Sequence, residues 1–220
     1  MRCRFIIFLT LCCGLVVAQQ DLPEPYGEDL QFREGIFISF EDMRNNNPVP
    51  KSMIKSEVAY DDPDFFQRIL GGKEIQYFDG LGVVRTIAVK NIWGYSRNGF
   101  LYIAMNEGFY RINILGSICH FLASQTVYDN YYNPYYSYYY PYSPYYYSPY
   151  STTASNEINQ YLLDFSTGNV LEYDVSSVEI LLMTDPELYD EYMVLGKKKK
   201  QQQRFLFIRR FNERHPISLP

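Results

Sequence analysis

IWGYSRNGFLYIAMNEGFYRINI, residues 92–114, is the stretch on which the fold turns. Asn98-Gly99 lies between the apolar runs Ile92-Trp93 and Phe100 to Ile103. A two-residue hairpin loop needs positive φ at both central positions, and Asn-Gly tolerates that best. Asn106-Glu107-Gly108 marks a second turn before Phe109 to Ile114. Upstream, Ile75 with Tyr77, Val83-Val84, and Ile87 with Val89 are further short β-type runs. Residues 74–123 therefore read as an antiparallel meander.

Downstream the composition changes. Tyr128 to Tyr150 holds thirteen tyrosines, punctuated by Pro134, Pro141, Pro144 and Pro149. Prolines that frequent do not fit inside a sheet. The segment reads as an irregular, partly polyproline-like insertion between two strands. The sheet then resumes, with Gln160 to Phe165 and Val170 to Tyr173 flanking a hairpin candidate at Ser166-Thr167-Gly168-Asn169.

Both flanks carry helix signals. Ile36-Phe37-Ile38 is a short strand, and Ser39 to Asp42 fits a capping box opening a brief helix that Asn45 to Pro48 ends. Asp61, Asp62 and Asp64 precede a second short helix over Phe65, Phe66, Ile69 and Leu70, closed by Gly71-Gly72. Near the C-terminus, Ser176 with Glu179 and Thr184 with Glu187 read as capping boxes, with Pro186 at the first helical position. Acidic residues begin the last helix, and Lys197 to Lys200, Arg204, Arg209 and Arg210 lie towards its end, an order that complements the helix dipole. Leu188, Tyr192 and Leu195 share one face, while Phe207, Ile208 and Phe211 share another about 120° round. A bend at Gly196 reconciles the two faces. Leu188, Tyr192 and Leu195 are expected to dock on the sheet, with Lys197 to Lys200 in solvent. The fold class is α+β: an antiparallel sheet packed by C-terminal helices, with a Tyr/Pro/Ser-rich inserted loop.

The N-terminus carries an export pattern. Arg2 and Arg4 precede an apolar run from Phe5 to Val17, and Val16 and Ala18 stand three and one residues before Gln19. That is the layout of a cleaved secretory signal, too short for a spanning helix. Cleavage is expected between Ala18 and Gln19, placing the protein in the periplasm or outside the cell. Leu11 and Cys12, which precede Cys12 and Cys13, are not the small residues a lipid-anchor site wants. The expected organisation is a signal over 1–18, a flexible lead-in over 19–34, and one domain over 35–215 with the low-complexity insertion at 128–150. The chain has 20 basic and 25 acidic residues; Arg2 and Arg4 leave with the signal, so the remainder carries 18 against 25, net −7. An acidic exported chain has no global attraction for nucleic acid. No later run reaches the roughly 18 apolar residues of a membrane span. Cys119 is the one cysteine left after cleavage, so no internal disulfide is expected.

The segment Gly35 to Met43 with Asn45 and Pro48, the Trp93-Gly94-Tyr95 strand, and the ending Tyr189 to Tyr192, Lys-rich run and Phe211 to Pro216 are similar to a group of exported bacterial proteins of unknown function. The tyrosine tract departs from that pattern as an insertion. The resemblance implies export and supplies no activity and no site.

Chemistry-bearing motifs are sparse. Cys119 and His120 are neighbours, and neighbours on a strand point to opposite faces, so they make no dyad. A buried structural cysteine is the expected reading. Asp61, Asp62 and Asp64 lack the bend glycine and distal glutamate of a calcium loop, and two histidines with one cysteine supply a zinc site poorly. Gly80-Leu81-Gly82 lacks the third glycine of a dinucleotide fingerprint, and there is no P-loop or nucleophile elbow. No catalytic, metal or cofactor residue is assigned, and no cofactor is expected. Lys197 to Lys200 suit either solvation or an anionic polymer.

The tyrosine tract carries the functional colour. Tyrosine offers an apolar ring, a polar tip and only two torsions to freeze. Tyr131, Tyr132, Tyr135, Tyr136, Tyr138, Tyr139, Tyr140, Tyr145, Tyr146 and Tyr147 form a candidate interaction loop for a protein or glycan partner. The expected function is a non-enzymatic binding or envelope-associated module. The alternative is a secreted hydrolase whose carboxylates are paired only by the fold.

Overall fold

The computed structural model describes residues 30–132 and 150–219. Ala18, Gln19 and the whole signal stretch lie outside the described residues. In chain order the elements are β1 (Gly35–Phe37), α1 (Phe40–Arg44), β2 (Ile54–Lys55), α2 (Phe65–Leu70), β3 (Glu74–Phe78), β4 (Val84–Ala88), β5 (Gly94–Arg97), β6 (Phe100–Met105), β7 (Gly108–Ile114), β8 (Ile118–Tyr132), β9 (Tyr150–Asp164), β10 (Val170–Glu172), α3 (Val175–Leu182), α4 (Pro186–Met193) and α5 (Lys197–Arg214). The fold is α+β.

A seven-stranded antiparallel sheet runs in the order β1-β5-β6-β7-β8-β9-β10. The Asn98-Gly99 turn forms as read, with φ of 52° and 78°, and joins β5 to β6. Asn106, at φ 53°, begins the next turn, and Gly168 at φ 79° lies in the β9–β10 hairpin.

The meander, however, is not one sheet. β3 and β4 belong to a separate three-stranded sheet with β2. The reason lies at β5. Its outer edge is taken by β1, pairing Ile36 with Tyr95, so β4 has no edge to join there. The chain crosses between the sheets at Ile92-Trp93, where the Trp93 N–H reaches the carbonyls of Phe37 and Ile38.

Period-two alternation divides the large sheet's faces. Cys119, Phe121, Ala123, Tyr161 and Leu163 point to one core with Leu101, Ile103, Ile112, Phe37 and Met43. Ile118 and Leu162 point the other way, into a core with Val178, Leu182, Leu188, Tyr192, Phe207, Ile208 and Phe211. A third core joins the small sheet and α2 to the β1–β5 edge through Ile36, Ile54, Phe65, Phe66, Ile75 and Tyr95.

Phe32 and Arg33, inside the lead-in, pack against the body. Phe32 is only 4% exposed and meets Phe37 edge-on, 6.0 Å between ring centres. The Arg33 N–H donates to Asn46 Oδ1 at 2.8 Å, fixing the approach to β1.

The capping box of α1 forms as read, Ser39 with Asp42. The later caps shift. Asp174, not Ser176, caps α3, and Asp185, not Thr184, caps α4. Aspartate is as good an N-cap as serine or threonine, and Pro186 then sits in the first helical turn. The break at Gly196 is complete: α4 ends at Met193 and α5 starts at Lys197. The lysines thus open a helix instead of closing one, against the dipole.

Candidate functional site

β8 and β9 are fifteen residues each and pair from Ile118↔Asp164 to Tyr132↔Tyr150. Their flanking strands are much shorter. β7 pairs with β8 at Ile112↔Phe121 and Ile114↔His120, and β10 pairs with β9 over residues 161–163. Among the described residues, lateral hydrogen bonds reach the ladder at Ser124 and Gln160. Tyr110 Oη lies 2.7 Å from Ser124 Oγ, Asn106 Nδ2 donates to the Ser124 carbonyl at 3.1 Å, and the Tyr173 N–H donates to the Gln160 carbonyl at 2.9 Å. From Gln125↔Glu157 to Tyr132↔Tyr150, eight rungs, no third strand flanks the ladder among the described residues. At about 3.3 Å per residue this is an arm of roughly 25 Å.

The arm corrects the reading of residues 128–132 as irregular. Thr126, Val127, Tyr128, Tyr131, Tyr132, Thr152 and Thr153 are good strand formers. Neither strand contains proline: β8 stops two residues short of Pro134, and β9 begins immediately after Pro149. The prolines delimit the ladder because they cannot donate to it. Tyr131 and Tyr132 occupy the last two rungs of β8. Tyr135, Tyr136, Tyr138, Tyr139, Tyr140, Tyr145, Tyr146 and Tyr147 lie outside the described residues.

At the arm's root a polar groove runs between Gln160, Tyr173, Asp174 and Arg204, with Ile158 at its mouth, 72% exposed. Arg204 lies 4.2 Å over the Tyr173 ring and donates to the Tyr173 carbonyl. His120 faces this side. Its Nε2 donates to Gln160 Oε1 at 2.9 Å, since that oxygen can only accept. Burial holds His120 below the ordinary histidine value, with the Gln160 bond opposing. Cys119 faces the opposite core, fully buried, and burial pushes its thiol up to about 12. That thiol is a core residue without thiolate character at neutral pH.

A second cluster escaped sequence reading because its members are thirty residues apart. Asp185 Oδ1 accepts the Leu188 N–H at 3.1 Å and Arg214 Nη1 at 2.9 Å, and Oδ2 lies 3.0 Å from His215 Nε2. Arg214 also bridges Glu187 at 2.5 Å. Burial pushes the Asp185 carboxyl up, but the Leu188 N–H, His215 and Arg214 together bring it below the ordinary range. The cluster pins the end of α5 to the start of α4, and its carboxylate is fully engaged. The sequence indicates a helix start here, read on Thr184, Pro186 and Glu187, but neither Asp185 as the cap nor its distant partners.

The remaining candidates resolve locally. Asp62 accepts the Asp64 N–H at 2.7 Å and pairs with Arg68 at 2.6 Å, closing a turn, and no side chain caps the helix that follows. No group of metal-holding side chains occurs among the described residues. Gly80-Leu81-Gly82 is a turn that Asp79 closes by accepting from the Leu81 and Val83 N–H groups. Each carboxyl whose acidity is shifted among the described residues, at Asp62, Asp79, Asp174, Asp185 and Glu191, is shifted down. Among the described residues no helix is long and apolar enough to cross a membrane. Set against known proteins, the chain matches no family model, no curated protein and no solved structure.

Proposed function

We propose that this is an exported binding protein, periplasmic or extracellular, which carries its tyrosine-rich segment at the end of a β-arm and engages a protein or glycan through it. The observation supporting this reading is the ladder itself. It runs eight rungs beyond its neighbours and both its strands end at the tyrosine tract. A two-stranded ribbon with no third strand is marginally stable in water, so its length serves reach better than core. Rigid amphipathic rings on a projecting ribbon suit stacking on sugar rings or packing on another protein. Among the described residues no carboxylate pair with a raised proton affinity supports the hydrolase alternative.

The test replaces residues 133–149 by a short Gly/Ser linker, leaving the arm intact. Adsorption to insoluble cell-wall polysaccharide and to whole envelope fractions is measured beside the parent chain. The expected result is at least a tenfold loss of adsorption with an unchanged unfolding midpoint. Equal adsorption by both chains removes the reading. Export is checked separately by the intact mass of released protein, expected to start at Gln19.

A further inference from the structure

The corner between α4 and α5 is not used by the arm. Val194 sits there 87% exposed, beside Met193. Lys197, Lys198 and Lys199 follow directly and fan round the first turn of α5, all exposed. None of the three has a carboxylate partner within ion-pair distance among the described residues. Lys200 differs. Its Nζ reaches Glu179 Oε1 at 2.7 Å and Met193 Sδ at 3.2 Å, which ties the exposed face of α3 to the same corner. The corner therefore joins Met193 and Val194 to the three exposed lysines, with Lys200 paired to Glu179 beneath them.

Three points single out this corner. The chain is acidic as a whole, at −5, so a local cationic cluster is not a by-product of net charge. The lysines oppose the dipole of their own helix, so they do not serve its stability. Apolar side chains stand at the tip, where solvation would favour polar ones. A bare anion satisfies the charge and leaves Met193 and Val194 in water. A surface with anionic headgroups over an apolar layer satisfies both.

We propose that the α4–α5 corner is a membrane-contact site for an anionic lipid surface: Lys197, Lys198 and Lys199 meet the headgroups while Val194 and Met193 enter the acyl boundary. Paired basic and apolar signals of this kind give reversible attachment where either alone is weak. The inference goes beyond the tyrosine-arm reading and does not depend on it.

The experiment is co-sedimentation of the full chain with vesicles of phosphatidylcholine alone or of phosphatidylcholine and phosphatidylglycerol in equal parts. The apolar run at residues 5–17 is common to every chain compared, so only differences are read. Wild type is expected to favour the anionic vesicles, and less so as salt rises. Lys197→Gln with Lys198→Gln and Lys199→Gln is expected to weaken that binding about a hundredfold. Val194→Ser is expected to weaken it about five- to tenfold. Both variants change exposed residues, and an unchanged unfolding midpoint verifies that they are folded. Equal binding to both vesicle types overturns the proposal, as do variants that bind like wild type. Capture by alginate with no vesicle binding also overturns it and assigns the lysines to an acidic glycan.

Discussion

Asn212 does at residue scale what a strand does at element scale. Its side-chain Oδ1 accepts the Ile118 N–H at 2.8 Å, and its Nδ2 donates to the Ile118 carbonyl at 2.9 Å. One amide thus satisfies both backbone groups at the start of β8, inside the core. Asn212→Ala leaves both unpaired and is expected to cost about 2–5 kcal/mol. A loss under about 1 kcal/mol in denaturant unfolding would mean that water replaces the amide. Lys200 is the second such residue. It is 9% exposed, while its three preceding neighbours are exposed. Lys200→Ala is expected to destabilise by about 1–3 kcal/mol, since it strands Glu179. Changing Lys197, Lys198 and Lys199 to Gln is expected to be neutral or slightly stabilising, because like charge leaves the start of a helix. If the triple variant were the less stable chain, this assignment would be reversed.

The histidine buried at the arm's root predicts a pH dependence. His120 is held below its unfolded value near 6.5, so the unfolded chain binds the proton more readily. The stability linked to it is intact above that value and declines as pH falls towards the folded value. His120→Gln is expected to flatten the stability profile in that window; an unchanged slope would locate the effect elsewhere. Asp185 has the same sign at lower pH. Its contribution is present above about 3.8 and is lost as pH falls through the depressed folded value.

At the scale of elements, the C-terminal helices show how pattern and packing share the decision. Leu188 and Tyr192 dock as their spacing indicates, both fully buried. Tyr192 Oη also donates to the Lys200 carbonyl at 3.0 Å, across the α4–α5 corner. Leu195 lies in the connection and is only half-buried. Leu188→Ala is therefore expected to cost about 3–5 kcal/mol, and Leu195→Ala about 1–2 kcal/mol. Thermal unfolding of the two variants gives the order directly, and equal losses would contradict it. The acidic-then-basic order of residues 185–210 looked like one dipole-matched helix. The break at Gly196 divides it, and across the break the charges pair instead. Arg210 grips Glu191 with contacts of 2.6 and 3.1 Å, and Arg214 grips Asp185. Charge order along a chain is legible; whether it acts along one helix or between two depends on where the helix stops.

At the scale of the whole molecule, the arm is separable from the cores. Among the residues whose side chains are described, none between Gln125 and Asn159 belongs to the three apolar clusters. Replacing residues 133–149 by a short linker is therefore expected to change unfolding free energy by less than about 2 kcal/mol, because loop length enters only through a slowly varying entropy. A larger loss, read from chemical denaturation, would mean that the tract packs on the body.

Local chemistry alone determined the α+β class, the Asn98-Gly99 and Ser166-to-Asn169 hairpins, the capped helix after β1 and the opposite facing of Cys119 and His120. These rest on backbone sterics and on the two periods of strand and helix, which act over a few residues. Tertiary structure alone decided that β1 would take the edge of β5 and split the meander, that Phe32 would be core, and that Lys200 would be buried while Lys197 to Lys199 are not. It also brought Asp185, Arg214 and His215 together. Each of these depends on contacts between segments far apart in the chain, whose formation is decided by which edges and apolar faces remain open once the local elements exist.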